Sequence, residues 1–208
     1  RLAPEPDFAF PLDNILRAIG PATRVIYLTD PNNPTGLGIP AGVVEIIAEA
    51  APRALVLVDE AYADFSGRTL VGSLLERHRN VVIGRTFAKG HGLAGLRIGA
   101  LVAHPDRIGQ LTPLLPPFNI NVCAARGLEA ALADFVEKLT GYKGLRLRAL
   151  LRRLGCDGGE PATLEEAAAV LDITRERMRQ IHKRFTDRLP SHQVFMPQID
   201  AAIEVLRQ

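Results

Sequence analysis

The sequence predicts an α/β segment with a largely parallel sheet followed by an all-α segment, and three observations carry that expectation. Short apolar runs rich in β-branched residues recur at Val25 to Leu28, Leu55 to Val58, Val81 to Ile83 and Ile98 to Val102. Helical stretches such as Val43 to Ala51 separate them, which is the alternation of a parallel sheet with crossover helices. Beyond Asp134 the alternation stops and Arg-rich helical patterns replace it. The expected division is therefore residues 1–134 and residues 135–208. No Pro-, Gly- or Ser-rich linker lies between Ala131 and Thr140, so a helix starting near Asn121 is expected to cross the boundary unbroken.

Composition bounds what the chain can be. At 208 residues it has room for two domains, and with 47% hydrophobic and 23% charged residues it reads as soluble and globular. It has no apolar run of bilayer-spanning length, and no charged-then-apolar leader opens it, so no membrane association and a cytoplasmic location are expected. Cys123 and Cys156 are expected as two reduced thiols, and neither has metal-ligand company, so no metal site is expected. The net charge of +2 hides an asymmetry: residues 1–134 carry 12 Lys and Arg against 13 Asp and Glu, whereas residues 135–208 carry 13 against 10. The excess concentrates between Arg175 and Arg188, where six basic residues face two acidic ones, and clustered cations suit a polyanionic partner.

In parallel sheets ligands gather at the carboxyl ends of strands, and there the polar strings of the first segment fall. DPNNPTG (Asp30 to Gly36) follows the first strand, VDEAY (Val58 to Tyr62) closes the second, and RTFAKGHGLAGLR (Arg85 to Arg97) follows the third. Taken singly each has an ordinary reading: a turn, a strand end with surface acids, a solvated lysine. Asp59 ends a buried-looking strand, where a carboxylate needs a partner to stay charged.

In order and spacing these strings resemble the core of fold-type-I aminotransferases, with wording nearest the histidinol-phosphate type, from about Asp7 to Asp134. The resemblance implies part of a pyridoxal-phosphate transferase large domain, and pyridoxal 5'-phosphate as cofactor. By that resemblance Lys89 holds the cofactor covalently and then moves the substrate proton. Asp59 faces the protonated ring nitrogen and keeps the ring an electron sink. Tyr62 and Asn33 hydrogen-bond the phenolic oxygen, while Thr86 and Arg97 hold the phosphate, Arg97 through its planar fork. The resemblance further implies a small amino-acid substrate, 2-oxoglutarate as acceptor, a place in histidine biosynthesis, and a homodimer. Three departures weaken the catalytic expectation. Ala88 stands where the family has Ser. The phosphate-cradling helix and ring-stacking aromatic would precede Arg1, and no position after Asp134 supplies the Arg that clamps a substrate carboxylate.

The second segment reads as helices in sequence. Leu145 to Leu154 forms one, the loop Cys156 to Ala162 follows, and Thr163 opens a capping box with Glu166. Leu164, Ala167, Ala168 and Leu171 give the next helix its apolar face. A turn at Asp172 and Ile173 leads to Thr174, the expected N-cap of a helix running to about Leu189, with Met178, Ile181, Phe185 and Leu189 toward the core. The string TLEEAAAVLDITRERMRQI resembles the promoter-reading helix pair of sigma-factor region 4, a helix-turn-helix. That resemblance implies DNA binding through residues 174–189, with Arg175, Glu176 and Gln180 on base edges and Arg177, Arg179 and Lys183 on the backbone. The tail from Met196 to Gln208 is expected to be amphipathic.

Three accounts of the whole follow: an aminotransferase-derived segment joined to a DNA-binding part, a transcription regulator whose aminotransferase-like part senses a ligand, or a chimera whose fragments share no mechanism.

Overall fold

The structure, a computed structural model, describes residues 8–189. The chain separates into two compact units, Arg1–Gly90 with Ile98–Asn119 and His91–Arg97 with Ile120–Gln208. The expected amphipathic tail, Met196 to Gln208, lies outside the described residues.

The first unit is built on four strands, β1 (Val25–Thr29), β2 (Leu55–Asp59), β3 (Val81–Thr86) and β4 (Gly99–Ala103), in that spatial order. β1, β2 and β3 are parallel and in step, Thr29 opposite Asp59 and Asp59 opposite Gly84. β4 returns antiparallel, with Gly99 opposite Thr86. Because side chains alternate across a strand, this register divides the sheet into two faces. Leu28, Val56, Val58, Val81 and Ile83 share a buried cluster with Ile15 of α1 (Leu12–Ala18), with Val43, Val44 and Ile47 of α2 (Val43–Ala50), and with Leu74 and Leu75 of α4 (Ser73–Arg77). The opposite face carries exposed Val25, Tyr27 and Leu101. A four-residue turn of helix, α3 (Ala63–Ser66), follows β2, and α5 (Pro105–Leu111) follows β4. Asn80 ties the sheet to α2: its buried amide nitrogen lies 3.0–3.3 Å from the carbonyl oxygens of Ala48, Ala51 and Ala54. Those carbonyls close α2 and the turn into β2, where no helical partner remains.

The second unit holds α6 (Val122–Thr140), α7 (Gly144–Leu154), α8 (Leu164–Ala169) and α9 (Arg175–Arg188), together with a 3-10 turn at Ala94–Leu96. α6 runs without interruption through residues 134 and 135, as the missing linker led one to expect. Its start is capped by Asn121, whose Oδ1 accepts the Ala124 N–H at 2.7 Å. There α6 also meets the 3-10 turn: a Cβ on Gly127 would stand 2.3 Å from Leu96 Cδ1, so a larger residue there would make the Leu96 side chain shift. The other end of α6 contributes Val136 to a core with Ala149 and Leu150 of α7, Ala167 and Ala168 of α8, and Met178, Ile181 and Phe185 of α9. α8 begins with the complete Thr163–Glu166 capping box, and Thr174 caps α9 by accepting the Arg177 N–H at 3.2 Å. Leu189 departs from expectation. It is the C-cap residue of α9, just past Arg188, and 40% exposed rather than in the core.

Among the described residues no helix is long and apolar enough to cross a membrane, and no group of His, Cys, Asp and Glu could hold a metal ion.

Candidate active site and helix pair

The carboxyl ends of β1, β2 and β3 bring part of the expected cofactor set together. The loop after β1 is set by Asp30, only 8% exposed, whose Oδ1 accepts the Ile39 N–H at 2.9 Å and pins the far end of the loop beneath its start. Within it Asn32 donates to Thr35 Oγ1 and its backbone pairs with Leu37, so the following Asn33 is held outward. Asn33 Nδ2 donates to the Tyr62 hydroxyl at 3.1 Å, across the gap between the β1 and β2 ends. Lys89 Nζ lies 5.6 Å from the centroid of the same tyrosine ring, within cation–π range. Asn33, Tyr62 and Lys89 therefore form one cluster. A cavity of about 320 Å³ opens beside it, lined by Pro31, Asn33, Pro34, Tyr62 and Phe65 among others.

Asp59 ends β2 on the open face of the sheet and is half-buried. Its Oδ1 accepts the Ala61 N–H at 3.0 Å and its Oδ2 accepts the Tyr27 hydroxyl at 2.5 Å. That bond, with burial and the negative charge of Asp59, pushes the Tyr27 phenol up to about 12. Thr86, the last residue of β3, uses its hydroxyl to accept the Ala88 N–H at 3.1 Å, which bends the chain toward Lys89. Arg97 belongs to the second unit, where it follows the 3-10 turn at a left-handed φ of 53° and its guanidinium donates to Ala94 O at 3.3 Å.

Two features of this region escaped the sequence reading. Tyr27 is one. The other is Glu60, the fully buried carboxylate of VDEAY, which accepts from Thr69 Oγ1 at 2.7 Å, Leu70 N–H at 2.6 Å and Arg85 at 2.9 Å. Arg85 also reaches Asp64 at 2.5 Å, so one guanidinium joins the end of β3 to both acids beyond β2. A buried acid beside an arginine at a strand end is the only signal the sequence offered for this pair.

The donor set at the strand ends comprises an amine, an amide, a phenol, a fixed carboxylate and a hydroxyl. Of these, the Asn33 amide, the Tyr62 phenol and the Lys89 amine are the groups brought together, two hydrogen-bonding groups beside a nucleophilic amine. The sequence model of the aminotransferase class I and II family matches residues 1–154. The chain belongs to that family. It is 38% identical over 135 residues to histidinol-phosphate aminotransferase 2 of Nitrosospira multiformis, a match covering 63% of this chain and 34% of that protein. Against the histidinol-phosphate aminotransferase of Roseobacter denitrificans it is 38% identical over 165 residues, 75% of this chain and 46% of the relative. Among the curated relatives it matches, the chain thus spans about a third to a half of their length. The crystal structure of the histidinol-phosphate aminotransferase from Clostridium acetobutylicum superposes with a TM-score of 0.55 at 19% identity, covering 73% of this chain and 47% of that one. The L-threonine-O-3-phosphate decarboxylase of Porphyromonas gingivalis does so at 0.51 and 20%, covering 71% and 50%. Two differently named reactions on one fold mean that the fold alone does not select the chemistry.

A second family model, sigma-70 region 4, matches residues 145–189. It shares residues 145–154, most of α7, with the aminotransferase match. On α9 the six residues expected to meet DNA, Arg175, Glu176, Arg177, Arg179, Gln180 and Lys183, are all exposed, while Met178, Ile181 and Phe185 are buried. Several of the six are engaged with one another or with α8. Arg179 forms a forked pair with Glu176 at 2.7 Å, Arg177 donates to Gln180 at 2.9 Å, and Arg175 pairs with Glu165 at 2.9 Å. The Arg179 fork holds the Glu176 carboxyl below its usual range.

Proposed function

We propose that this chain is an aminotransferase-derived segment of the histidinol-phosphate type that binds pyridoxal 5'-phosphate at Lys89, joined to a DNA-binding helix pair. One observation carries the first half: the cluster of Asn33, Tyr62 and Lys89 at the strand ends, with Tyr62 hydrogen-bonded by Asn33 and facing the lysine amine. When bound, the cofactor supplies an electron-accepting ring that lets a bond at the substrate α-carbon break. Lys89 anchors it and, once freed, carries the proton of that carbon on its Nζ. Asn33 and Tyr62 hold the acidic ring oxygen, and Asp59 offers a carboxylate to the basic ring nitrogen. Thr86 serves the phosphate, a role that the family resemblance gives to Arg97 as well, with a small amino acid as substrate. Residues 1–134 and 135–208 are the functional parts under this reading, and a homodimer follows from family kinship.

The test is titration of the purified chain with pyridoxal phosphate, then borohydride reduction and peptide mapping, with Lys89→Ala as control. A stoichiometric adduct on Lys89 alone supports the reading. Scattered labelling that persists in Lys89→Ala rejects it.

A second reading is favoured by α9. Its polar face stands clear of the core, so the chain acts as a regulator: Arg175, Glu176 and Gln180 address bases, Arg177, Arg179 and Lys183 address phosphates, and the first part senses a ligand. Fluorescence anisotropy with labelled duplexes tests it. Binding that weakens with salt and is lost in Arg175→Ala/Gln180→Ala supports it, and no binding at low salt rejects it.

A further inference from the structure

The Tyr27 hydroxyl lies 2.5 Å from Asp59 Oδ2, yet neither the motifs nor the family kinship gives Tyr27 a task. The register explains the reach. Thr29 stands opposite Asp59, and Tyr27 lies two residues earlier on the same face, so its ring spans one pleat of the edge strand and delivers its hydroxyl to the end of β2. Tyr27 contributes little to packing there, since the residue is 57% exposed on the open face. What it does contribute is direction. With the Ala61 N–H on Oδ1 and the Tyr27 hydroxyl on Oδ2, each oxygen of Asp59 has one donor, so the carboxylate plane is fixed. Each oxygen keeps a second lone pair for an incoming cation.

We propose that Tyr27 is a positioning residue of the cofactor site, acting through Asp59 to hold that carboxylate aimed at a protonated ring nitrogen. This rests on the reading of Lys89 and its neighbours as a pyridoxal-phosphate site. A tyrosine suits the task because its phenol, displaced upward by the same hydrogen bond, stays a neutral donor to high pH.

The experiment uses the full chain as wild type, Tyr27→Phe, Asp59→Asn and the double variant. Each is titrated with pyridoxal phosphate, trapped with borohydride, and its bound chromophore followed by absorbance from about pH 6 to 10, a range chosen around ordinary protein ionisations. Tyr27→Phe is expected to keep the adduct on Lys89 while binding about 3- to 10-fold more weakly, with the chromophore's pH midpoint displaced in the same direction as in Asp59→Asn. The double variant is expected to match Asp59→Asn alone, the non-additivity of two groups acting as one. A Tyr27→Phe chromophore with wild-type affinity and pH profile overturns the positioning role, as does a fully additive double variant. Wild type that leaves no adduct on Lys89 overturns the cofactor site itself and the Tyr27 role with it. Circular dichroism of each variant separates these outcomes from loss of fold.

Discussion

The guanidinium of Arg188, in the last turn of α9, donates to the carbonyl oxygens of Leu139 and Thr140 at 3.0 and 3.1 Å, where α6 ends. The final carbonyls of a helix have no intrahelical donor, and a cation at that end also meets the negative pole of the helix dipole. Arg188→Ala should lower the unfolding free energy of the helical unit by about 1 to 2 kcal/mol. Urea denaturation followed by circular dichroism reads it directly. Arg188→Lys should recover part of the loss through charge while forfeiting the planar fork.

Arg85 holds a different kind of joint. Glu60 is 2% exposed, and Arg85 is its counter-charge. Arg85→Ala leaves that carboxylate with its Thr69 and Leu70 donors but no cation, a loss expected to cost about 3 kcal/mol. Adding Glu60→Gln should restore part of the stability, since a neutral amide needs no counter-charge. A double variant no better than Arg85→Ala would place the cost in packing instead.

The phenol of Tyr27 gives a pH signature. Its hydrogen bond to Asp59 raises its pKa from 10.0 to about 12, so the folded chain holds that proton more tightly than the unfolded chain does. The stabilisation is fully present below pH 10 and is lost as pH rises toward 12. Absorbance titration near the phenolate band should therefore show a component at about 12 that disappears in Tyr27→Phe and moves down in Asp59→Asn.

On α9, Arg179 is held by Glu176, and under the DNA-binding reading it exchanges that partner for a phosphate. Glu176→Gln should tighten binding to a random duplex at low salt and steepen the salt dependence by about one counterion. Anisotropy at several salt concentrations checks both, and unchanged affinity would mean that Arg179 stays off the backbone.

The parts legible in sequence were those whose cause is local. β-branched runs marked all four strands, Thr163 with Glu166 marked the start of α8, and Met178, Ile181 and Phe185 marked the buried side of α9. α1 passed unnoticed, because Pro11 offers no side-chain cap and only the spacing of Leu12, Ile15 and Ile19 hints at it. The motif strings announced Asn33, Tyr62 and Lys89 as a group, but not the bonds between them. Tyr27 to Asp59 spans 32 positions and Glu60 to Arg85 spans 25, and at such distances only strand register decides who meets whom. Leu189 was misplaced for a smaller reason: helical spacing does not say at which residue the helix stops.

α6 carries one more consequence. The boundary expected at Asp134 and Phe135 falls inside α6: the helix bonds straight through that point, the aminotransferase match runs on to residue 154, and Val136 is a core residue of the helical unit. Cutting the polypeptide at that boundary would leave the downstream piece with a stump from Phe135 to Thr140, too short to hold helical shape by itself. The family match, which ends at residue 154, and the compact units thus have different borders. Anyone transplanting residues 145–189 must carry along α6, all of which lies within the aminotransferase match, because its Val136 belongs to the same core as α7, α8 and α9.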